Sequence, residues 1–489
     1  MFFLRIAAIA LLSIAALAVG IVLLLVPPAL DVPPQDDALI TGVVVINPGQ
    51  SRTPGQTIVV RAGKIVEVRP TRDTDPPPIC PGRYAIPGLI DAHVHTPPQI
   101  ALGNQQLFAL LYLAHGVTSI RDVGQSDESV AAWAKAINAG EQIGPHVYRC
   151  GPVLDGKDPG WPSALQVLTP DEGKAAIEKL AATGVDCIKT YNHVDAATFR
   201  AVSEAATAKN IEMVGHVPHL VGLANISRFD AQHLTGLPYL TKKPRWDNDV
   251  DSADIAAMSA EEIDAALKLV KQQDASLTPT IINLAMRLSA SDPKRFPPPP
   301  AASLLPEMWT IAWPNIVGHP KTQAEIDAQL ASIAKSREIA RAARDMGIDV
   351  LAGTDVLMPY TIPGDALLRE VDELATAYGN KEAALEAATR VNARRIDSAN
   401  TGVIAPGMRA DLLLLPADPT AELGAVREWR VLFAQGRRYD RATVDKWVER
   451  YKVHFHATLY RFVFGTVARA MSGSYSSNLD PNEPQPAPH

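Results

Sequence analysis

Two histidines, His93 and His95, follow the apolar run Ala85–Ile90 and stand two residues apart. In a β-strand, residues i and i+2 point to the same side. Both imidazoles would therefore face one space at the carboxyl end of the strand. Convergent imidazoles are suitable ligands for zinc or a similar divalent metal ion. The spacing predicts a metal site where this strand ends.

Three further residues of metal-ligand type, and one lysine, stand at or near the ends of apolar segments. Lys189 lies in DCIKTY, where a buried ammonium group would be costly unless it were paired or neutralised. His216 ends EMVGH, His233 lies in DAQHLTG, and Asp355 follows DVLAGT. If these segments are parallel strands, their carboxyl ends meet on one face of a barrel, and the side chains would share one site.

From Ala85 onward, short apolar segments alternate with longer helical ones, which favours an α/β fold of βα units. Eight strands with intervening helices fit a TIM-type (β/α)₈ barrel. The predicted strands are Ala85–Ile90, Val117–Asp122, His146–Cys150, Cys187–Tyr191, Glu212–His216, Asp230–His233, Ser276–Ile282 and Asp349–Gly353. The predicted helices are Gln105–Ala114, Ser129–Ala139, Asp171–Ala182, Ala196–Lys209, Ala260–Gln272, Gln323–Met346 and Lys381–Ile396.

The motifs GLIDAHVH, GVDCIKTY, GHVPH, QHLTG, LTPT, AGTD and GVIAPGMRADL together resemble those of the metal-dependent amidohydrolase superfamily. The branch they resemble is the imidazolonepropionase-like branch, with its Xaa-Pro and Xaa-Arg dipeptidase-like members. The resemblance covers Ala38 to Asp440. It implies a (β/α)₈ hydrolase barrel over residues 85–400. It also implies a small β-sandwich whose halves are residues 38–84 and 401–440.

The same resemblance implies two divalent metal ions, most plausibly Zn²⁺, bridged by a carbamate on Lys189. The first ion would bind His93, His95, Lys189 and Asp355, and the second would bind Lys189, His216 and His233. A metal-activated hydroxide would attack the substrate carbonyl, with Asp355 as general base and then general acid. Tyr191 and His219 are the candidate substrate-binding residues.

The implied reaction is hydrolysis of an amide or peptide-type C–N bond in a small molecule, in particular a dipeptide or an N-acyl amino acid. A cyclic amide or lactam is the alternative substrate. The alternative class of protein is a membrane-tethered binding protein with an inactive barrel, against which the complete ligand set argues. A net charge of −7 argues against general nucleic-acid binding. Barrels of this type often form homo-oligomers.

The segment Ile6–Val26 is almost wholly apolar, and a helix of that length would span a hydrocarbon core of about 30 Å. Arg5 precedes it and Asp31 follows it, so the charge pattern places the catalytic domain on the extracytoplasmic side. Residues 1–30 are thus predicted to be a membrane anchor, with a cleaved signal peptide as the alternative.

Three other segments carry predictions. The long connection Asn283–Thr322 is expected to form a lid whose Trp309 and Trp313 contact an apolar substrate or another subunit. Residues 441–489 are predicted to hold a helix, Asp445–Met471, and a disordered tail; the helix would lie on a membrane or pack on the barrel. Among three cysteines whose spacing matches no known motif, Cys187 is expected to be a small core residue.

Overall fold

The computed structural model describes residues 20, 24–78, 83–99, 101–125, 128–161, 163–240, 252–317 and 321–476. Most of the predicted anchor, Ile6–Val26, and the chain beyond residue 476 lie outside the described residues. Among the residues that are described, no helix is both long and apolar enough to cross a membrane.

The strands belong to one mixed sheet and two parallel sheets. They are β1 Ala38–Asn47, β2 Ser51–Arg61, β3 Lys64–Pro70, β4 Tyr84–Pro87, β5 Leu89–Val94, β6 Val117–Asp122, β7 His146–Arg149, β8 Leu154–Asp155, β9 Leu165–Gln166, β10 Cys187–Thr190, β11 Glu212–Gly215, β12 Phe229–Gln232, β13 Ser276–Thr278, β14 Leu412–Leu415, β15 Val431–Ala434 and β16 Arg437–Asp440.

The helices alternate with the parallel strands. They are α1 Asn104–Ala114, α2 Glu128–Asn138, α3 Pro170–Ala182, α4 Ala196–Ala208, α5 Ser252–Ala256, α6 Ala260–Gln272, α7 Ile281–Ser291, α8 Glu307–Val317, α9 Gln323–Asp345, α10 Asp365–Tyr378, α11 Lys381–Glu386, α12 Asn392–Ile396, α13 Arg441–Phe455 and α14 Thr458–Ser476. Helices α11 and α12 are joined by a π-helical turn, Ala387–Val391, where one continuous helix was predicted.

The first and last strands of the chain form one seven-stranded sheet in the order β16-β15-β14-β4-β1-β2-β3. Strand β4 pairs antiparallel with β14, so Leu413 stands opposite Ile86, and it pairs parallel with β1 on its other side. The alternate residues of these strands bury a separate apolar cluster that includes Ile58, Leu412 and Phe433. The two flanks of the chain are therefore joined in one sheet beside the parallel strands.

The parallel strands fit a TIM-type arrangement. One sheet runs β5-β6-β7 and the other runs β13-β12-β11-β10-β8-β9. The segment that follows α9 lies between their outer strands, because Leu351 N donates to Leu277 O (2.8 Å) and Ala92 N donates to Ala352 O (3.0 Å). This segment makes only isolated bridges and no regular strand, although a strand was predicted at Asp349–Gly353.

Two other predicted strand boundaries were wrong. The run Ala85–Ile90 is divided between β4 and β5 at Gly88, where a Cβ atom would lie 2.1 Å from the Thr118 hydroxyl. The predicted strand Ser276–Ile282 ends at Thr278, and its last two residues begin helix α7.

The interior below the strand ends contains two covalent or ionic links between strands. Arg121, at 2 % exposure, pairs with the buried Asp230, and its Nε donates to Ala92 O at 2.8 Å. Cys150 and Cys187 form a disulfide among Val123 and Val214. Cys187 is therefore buried as predicted, but it is not an unpaired core residue.

The connection after β13 is mainly helical, and both tryptophans of the predicted lid make hydrogen bonds within the fold. Trp309 Nε1 donates to Asn104 Oδ1 (2.9 Å), and the buried Trp313 donates to Leu357 O (3.2 Å). The C-terminal region forms two helices, α13 and α14, where one was predicted. Helix α13 packs on α1 and α14 packs on α8, which supports the alternative that this region packs on the barrel.

Candidate active site

Six predicted metal ligands lie at the carboxyl ends of the parallel strands. His93 is in β5 and His95 follows it, while Lys189 is the third residue of β10. The remaining three directly follow β11, β12 and the segment after α9; they are His216, His233 and Asp355. The alternation of strands and helices thus places residues far apart in sequence on one face of the fold.

Asp355 lies at the centre of this group. Its Oδ1 is 3.2 Å from His93 Nε2 and 3.4 Å from His95 Nε2, and its Oδ2 is 3.9 Å from His233 Nε2. The ligand atoms of His93, His233 and Asp355 all lie within 4.8 Å of one another. His216 completes the group, with its ring centroid 5.1 Å from that of His233. His93 and Asp355 belong to the first predicted metal site and His233 belongs to the second, so this compact group contains predicted ligands of both sites.

Three of the histidines are oriented through their Nδ1 atoms. His95 Nδ1 lies 2.9 Å from Gly124 O, His216 Nδ1 lies 2.9 Å from Asn192 Oδ1, and His233 Nδ1 lies 2.6 Å from Thr280 Oγ1. A partner on one ring nitrogen fixes the ring and leaves the other nitrogen for a metal ion. These contacts therefore direct the three Nε2 atoms toward the interior of the site.

His93 gives the strongest test of whether a metal fits. Its side chain is fully buried; Nδ1 has no hydrogen-bond partner, and Nε2 makes no hydrogen bond of good geometry although it lies 3.2 Å from Asp355 Oδ1. A buried polar atom without a partner costs about 1–3 kcal/mol, so such atoms are rare unless something binds them. The donor set of imidazole nitrogen and carboxylate oxygen is one that Zn²⁺, Mn²⁺, Co²⁺ or Fe²⁺ accepts. The residues present fit a divalent metal ion.

The electrostatics favour the protonation states that metal binding requires. Burial lowers the pKa of His93 and of His216 well below the usual value, and the positive charge of Lys189 lowers both further. Burial alone would raise the pKa of Asp355, but His233 and His93 outweigh it and hold that pKa well below its usual range. The low pKa of His93 and of His216 means that both imidazoles give up a proton readily when a cation binds beside the ionised Asp355.

Lys189 is buried at 2 % exposure, and its Nζ donates to Gln232 Oε1. The amide nitrogen of Gln232 is buried and has no hydrogen-bond partner. Gly215 allows the neighbouring strand to approach Lys189, since a Cβ atom there would lie 2.2 Å from Thr190 O and 3.0 Å from Lys189 Cδ. The site therefore holds space and a spare N–H donor around the lysine head group.

The backbone adopts a left-handed conformation at three of these positions. The φ angles are 54° at His233, 48° at Thr280 and 61° at Asp355. Such conformations in residues other than glycine cost about 1–3 kcal/mol each and occur most often at functional sites. These left-handed turns orient two predicted ligands, His233 and Asp355, and the Thr280 hydroxyl that contacts His233.

A cavity of about 270 Å³ opens over the group, and Tyr191 lines it with its ring stacked on His216 at 4.0 Å between centroids. His219, the other predicted substrate-binding residue, does not reach it and lines a separate cavity with Tyr239. The cavity has further walls that the sequence did not indicate, contributed by Trp161, Ile255, Asn283, Leu284, Arg287 and Met358.

Three of these walls have direct relations to the site. Trp161 stacks on His95, with the rings 5.5 Å apart and 17° from parallel. Asn283 Nδ2 donates to Asp355 Oδ2 at 2.6 Å, and Arg287 Nε donates to Asn283 Oδ1 at 3.3 Å. The spacing of Asn283 and Arg287, four residues apart, would have placed them on one helix face. That signal was hidden because the beginning of α7 was read as a strand.

Comparisons with known proteins agree with this architecture. Among solved structures, the bottromycin amidohydrolase superposes with a TM-score of 0.69 at 22 % identity, covering 86 % of this chain and 91 % of that one. A putative prolidase from Bifidobacterium longum gives 0.62 at 23 % identity, covering 86 % and 100 %. The ochratoxinase of A. niger gives 0.61 at 16 % identity, covering 83 % and 96 %. At these identities the likeness concerns the fold.

A search of curated protein sequences finds no significant match. The sequence model of the amidohydrolase family, however, matches residues 84–438, which is most of the chain. This match confirms the superfamily predicted from the histidine pair and the later motifs. It begins at β4 and ends in β16, so it includes every predicted ligand. The chain therefore belongs to the amidohydrolase family.

Proposed function

We propose that this protein is a binuclear metal-dependent hydrolase of amide or peptide-type C–N bonds, acting on dipeptides or N-acyl amino acids. The observation that carries the proposal is the fully buried His93, whose Nδ1 has no hydrogen-bond partner and whose Nε2 lies 3.2 Å from the ionised Asp355. An inactive binding protein would have no need of a buried histidine in this state. The ligand set argues for retained chemistry.

When bound, two divalent ions, most plausibly Zn²⁺, would acidify a water molecule and polarise the scissile carbonyl. The two carboxylate oxygens of Asp355 have different surroundings, which suit metal binding by one and proton transfer by the other. Its Oδ1 faces His93 and His95, while its Oδ2 accepts a hydrogen bond from Asn283. The second lone pair of Oδ2 can accept the proton of the attacking water and then deliver it to the leaving nitrogen. Tyr191 lines the cavity beside His216, where its hydroxyl can bind the developing oxyanion.

We further propose that Lys189 carries a carbamate that bridges the two ions. Addition of CO₂ to the neutral Nζ gives an N-carboxylate and releases one proton. The burial of Lys189 and the unpartnered Nε2 of Gln232, a donor for a carbamate oxygen, support this modification. The carbamate also removes the buried ammonium, which would otherwise repel the metal ions.

Metal content tests the proposal. Protein purified without chelator should hold about two metal ions per chain by plasma mass spectrometry. Lys189→Ala should lose at least one of them, and Lys174→Ala, an exposed lysine on α3, is the matched control. Chelation should abolish turnover, and added Zn²⁺ should restore it. One ion per chain in both wild type and Lys189→Ala would contradict the bridging role, and no ion in either would favour a binding protein.

We also propose that the segment Ile6–Val26 anchors the chain in a membrane, with the catalytic domain on the extracytoplasmic side. The Cys150–Cys187 disulfide supports an oxidising compartment. Leu25 O lies 3.1 Å from His454 Nε2, so the described chain begins against α13. Leu24 is 67 % exposed, and Phe462 on α14 is 69 % exposed. Exposed apolar side chains such as these suit contact with a lipid surface.

A further inference from the structure

Arg287 is a cation that lines the cavity, and no anionic group among the described residues pairs with it. It lies on α7, is half-buried, and lines the same cavity as Lys189 and Asp355. Its only side-chain hydrogen bond among the described residues goes to the neutral Oδ1 of Asn283. No carboxylate in the described part of the chain lies within ion-pair distance of its guanidinium group. A partly desolvated guanidinium without a counter-charge has donors left for a ligand.

The position of Arg287 is fixed relative to the reacting groups. Asn283 and Arg287 are one helical turn apart, so they share the face of α7 that is turned to the cavity. Asn283 bonds Asp355 on one side and Arg287 on the other. Two hydrogen bonds and one amide group therefore separate the Asp355 carboxylate from the guanidinium, a distance of at most about 8 Å.

The charges in the cavity define what this cation can bind. Asp355 is the only carboxylate among the described residues that line the cavity, and its Oδ1 already faces His93 and His95. A planar guanidinium binds a carboxylate through two parallel hydrogen bonds. It repels an ammonium group. A ligand with a free carboxylate would therefore be oriented with that group toward α7.

We propose that Arg287 binds the α-carboxylate of the amino acid on the leaving side of the scissile bond. This inference rests on the proposed hydrolase function and names the end of the substrate that is recognised. The carboxylate carbon of the leaving amino acid is about 3–4 Å from the scissile carbonyl carbon, which fits the separation of Arg287 from Asp355. On the acyl side, the N-terminal ammonium of a dipeptide would be repelled.

The same helix contributes an apolar wall next to this charge. Leu284 follows Asn283, and Ile255 and Met358 line the cavity as well. These side chains would surround the apolar part of a substrate whose carboxylate is held by Arg287. The preferred substrates are then dipeptides and N-acyl amino acids with a free C-terminal carboxylate.

The test compares acids with their matched amides. A panel of N-acetyl-L-amino acids with apolar side chains and the corresponding C-terminal carboxamides would be assayed with the wild-type holoenzyme, Arg287→Met and Arg287→Lys. The wild type should prefer the acid by about 10- to 150-fold in kcat/KM, the range for a hydrogen bond to a charged group. Arg287→Met should abolish this preference, chiefly through KM, and Arg287→Lys should keep part of it. Arg341→Met, on the exposed side of α9, is the control and should behave as wild type.

Two outcomes would overturn the inference. A fall in kcat/KM of Arg287→Met that is equal for acid and amide would mean that the residue only positions Asn283. A full preference for the acid in Arg287→Met would mean that another group binds the carboxylate. If the protein hydrolyses neither compound, calorimetric titration of the N-acetyl amino acid into holoprotein replaces the kinetics. Binding that requires the carboxylate and is lost in Arg287→Met would support the subsite even if the hydrolase proposal failed. Equal binding in both proteins would reject it.

Discussion

Glu370 caps a helix that is distant in sequence from it. Its side chain is fully buried on α10, and its two carboxyl oxygens accept hydrogen bonds from Ile281 N (3.1 Å) and Ile282 N (2.7 Å), the first two amides of α7. The residue that should cap α7, Thr280, makes no cap hydrogen bond because its hydroxyl contacts His233. Replacement of Glu370 therefore tests whether this distant carboxyl group stabilises α7.

The expected magnitude follows from the burial of the group. Burial raises the pKa of Glu370 from 4.5 to about 8, although the two backbone amides oppose the shift. The folded protein then holds this proton more tightly than the unfolded chain does. Its stabilising effect is complete below pH 4.5 and is lost as the pH rises to about 8. The complete loss is about 5 kcal/mol, of which about 2.5 kcal/mol falls between pH 6 and pH 9.

Glu370→Gln cannot ionise, so the fall in its free energy of unfolding between pH 6 and pH 9 should be about 2.5 kcal/mol smaller than that of the wild type. At pH 6 it should be less stable by about 1–3 kcal/mol, because one oxygen is replaced by an N–H donor that faces an amide. Glu370→Ala should lose about 3–5 kcal/mol, since it leaves a cavity and two uncapped amides.

The assay is urea unfolding of metal-free protein, followed by tryptophan fluorescence and far-ultraviolet circular dichroism at both pH values. The matched control for removing one carboxylate is Glu373→Gln. Glu373 lies three residues further along α10 and pairs with Arg337. This variant should lose as much free energy of unfolding between pH 6 and pH 9 as the wild type does. The reasoning would be refuted if Glu370→Gln lost stability between pH 6 and pH 9 as steeply as the wild type.

Two further changes test the proposed site and location. Asp355→Asn should retain most of its metal and lower kcat by about 10²- to 10⁴-fold, because the proton acceptor is lost while most ligands remain; turnover at the wild-type rate would exclude the general-base role. Protein recovered from membranes without reductant should show one free thiol per chain in denaturant and three after reduction, because Cys150 and Cys187 are paired. Three free thiols before reduction, or full-length protein in the soluble fraction, would count against the extracytoplasmic anchor.

The cluster of candidate metal ligands could be predicted because its signal is local. A ligand-type residue at the end of an apolar segment can be read from a few neighbouring residues, and the barrel topology brings such ends together. The helices were predictable for a similar reason. Helix α6 begins at a capping box of Ser259 and Glu262, and α9 begins at one of Thr322 and Glu325. Those helices were placed within one residue of their observed ends.

The contacts that could not be predicted join residues far apart in the chain. Arg121 pairs with Asp230, which is 109 residues away. Asp122 instead accepts hydrogen bonds from Thr96 N and Gly124 N, next to the metal ligands of β5. Neighbouring strand residues point to opposite faces, so Arg121 and Asp122 contact different partners.

The beginning of α7 shows why the cavity wall formed by Asn283, Leu284 and Arg287 was not predicted. The residues Ile281 and Ile282 are β-branched and extend an apolar strand, so local propensity favoured a longer strand. The helix begins there because Thr280 takes a left-handed turn and Glu370, 89 residues away, caps the first amides. That distant cap helps to fix the start of the helix that carries Asn283 and Arg287.

These contacts couple the candidate metal site to the cavity wall that α7 forms with Asn283 and Arg287. The Thr280 hydroxyl orients His233 and is thereby withdrawn from capping α7, so Glu370 must supply the cap from α10. Helix α7 in turn presents Asn283 to Asp355 and Arg287 to the cavity. A change at Glu370, which touches neither metal ligand nor substrate, should therefore reach both sides of the reaction. The loss of the cap would release Asn283 from the general base and would shift the cation that we assign to the substrate carboxylate.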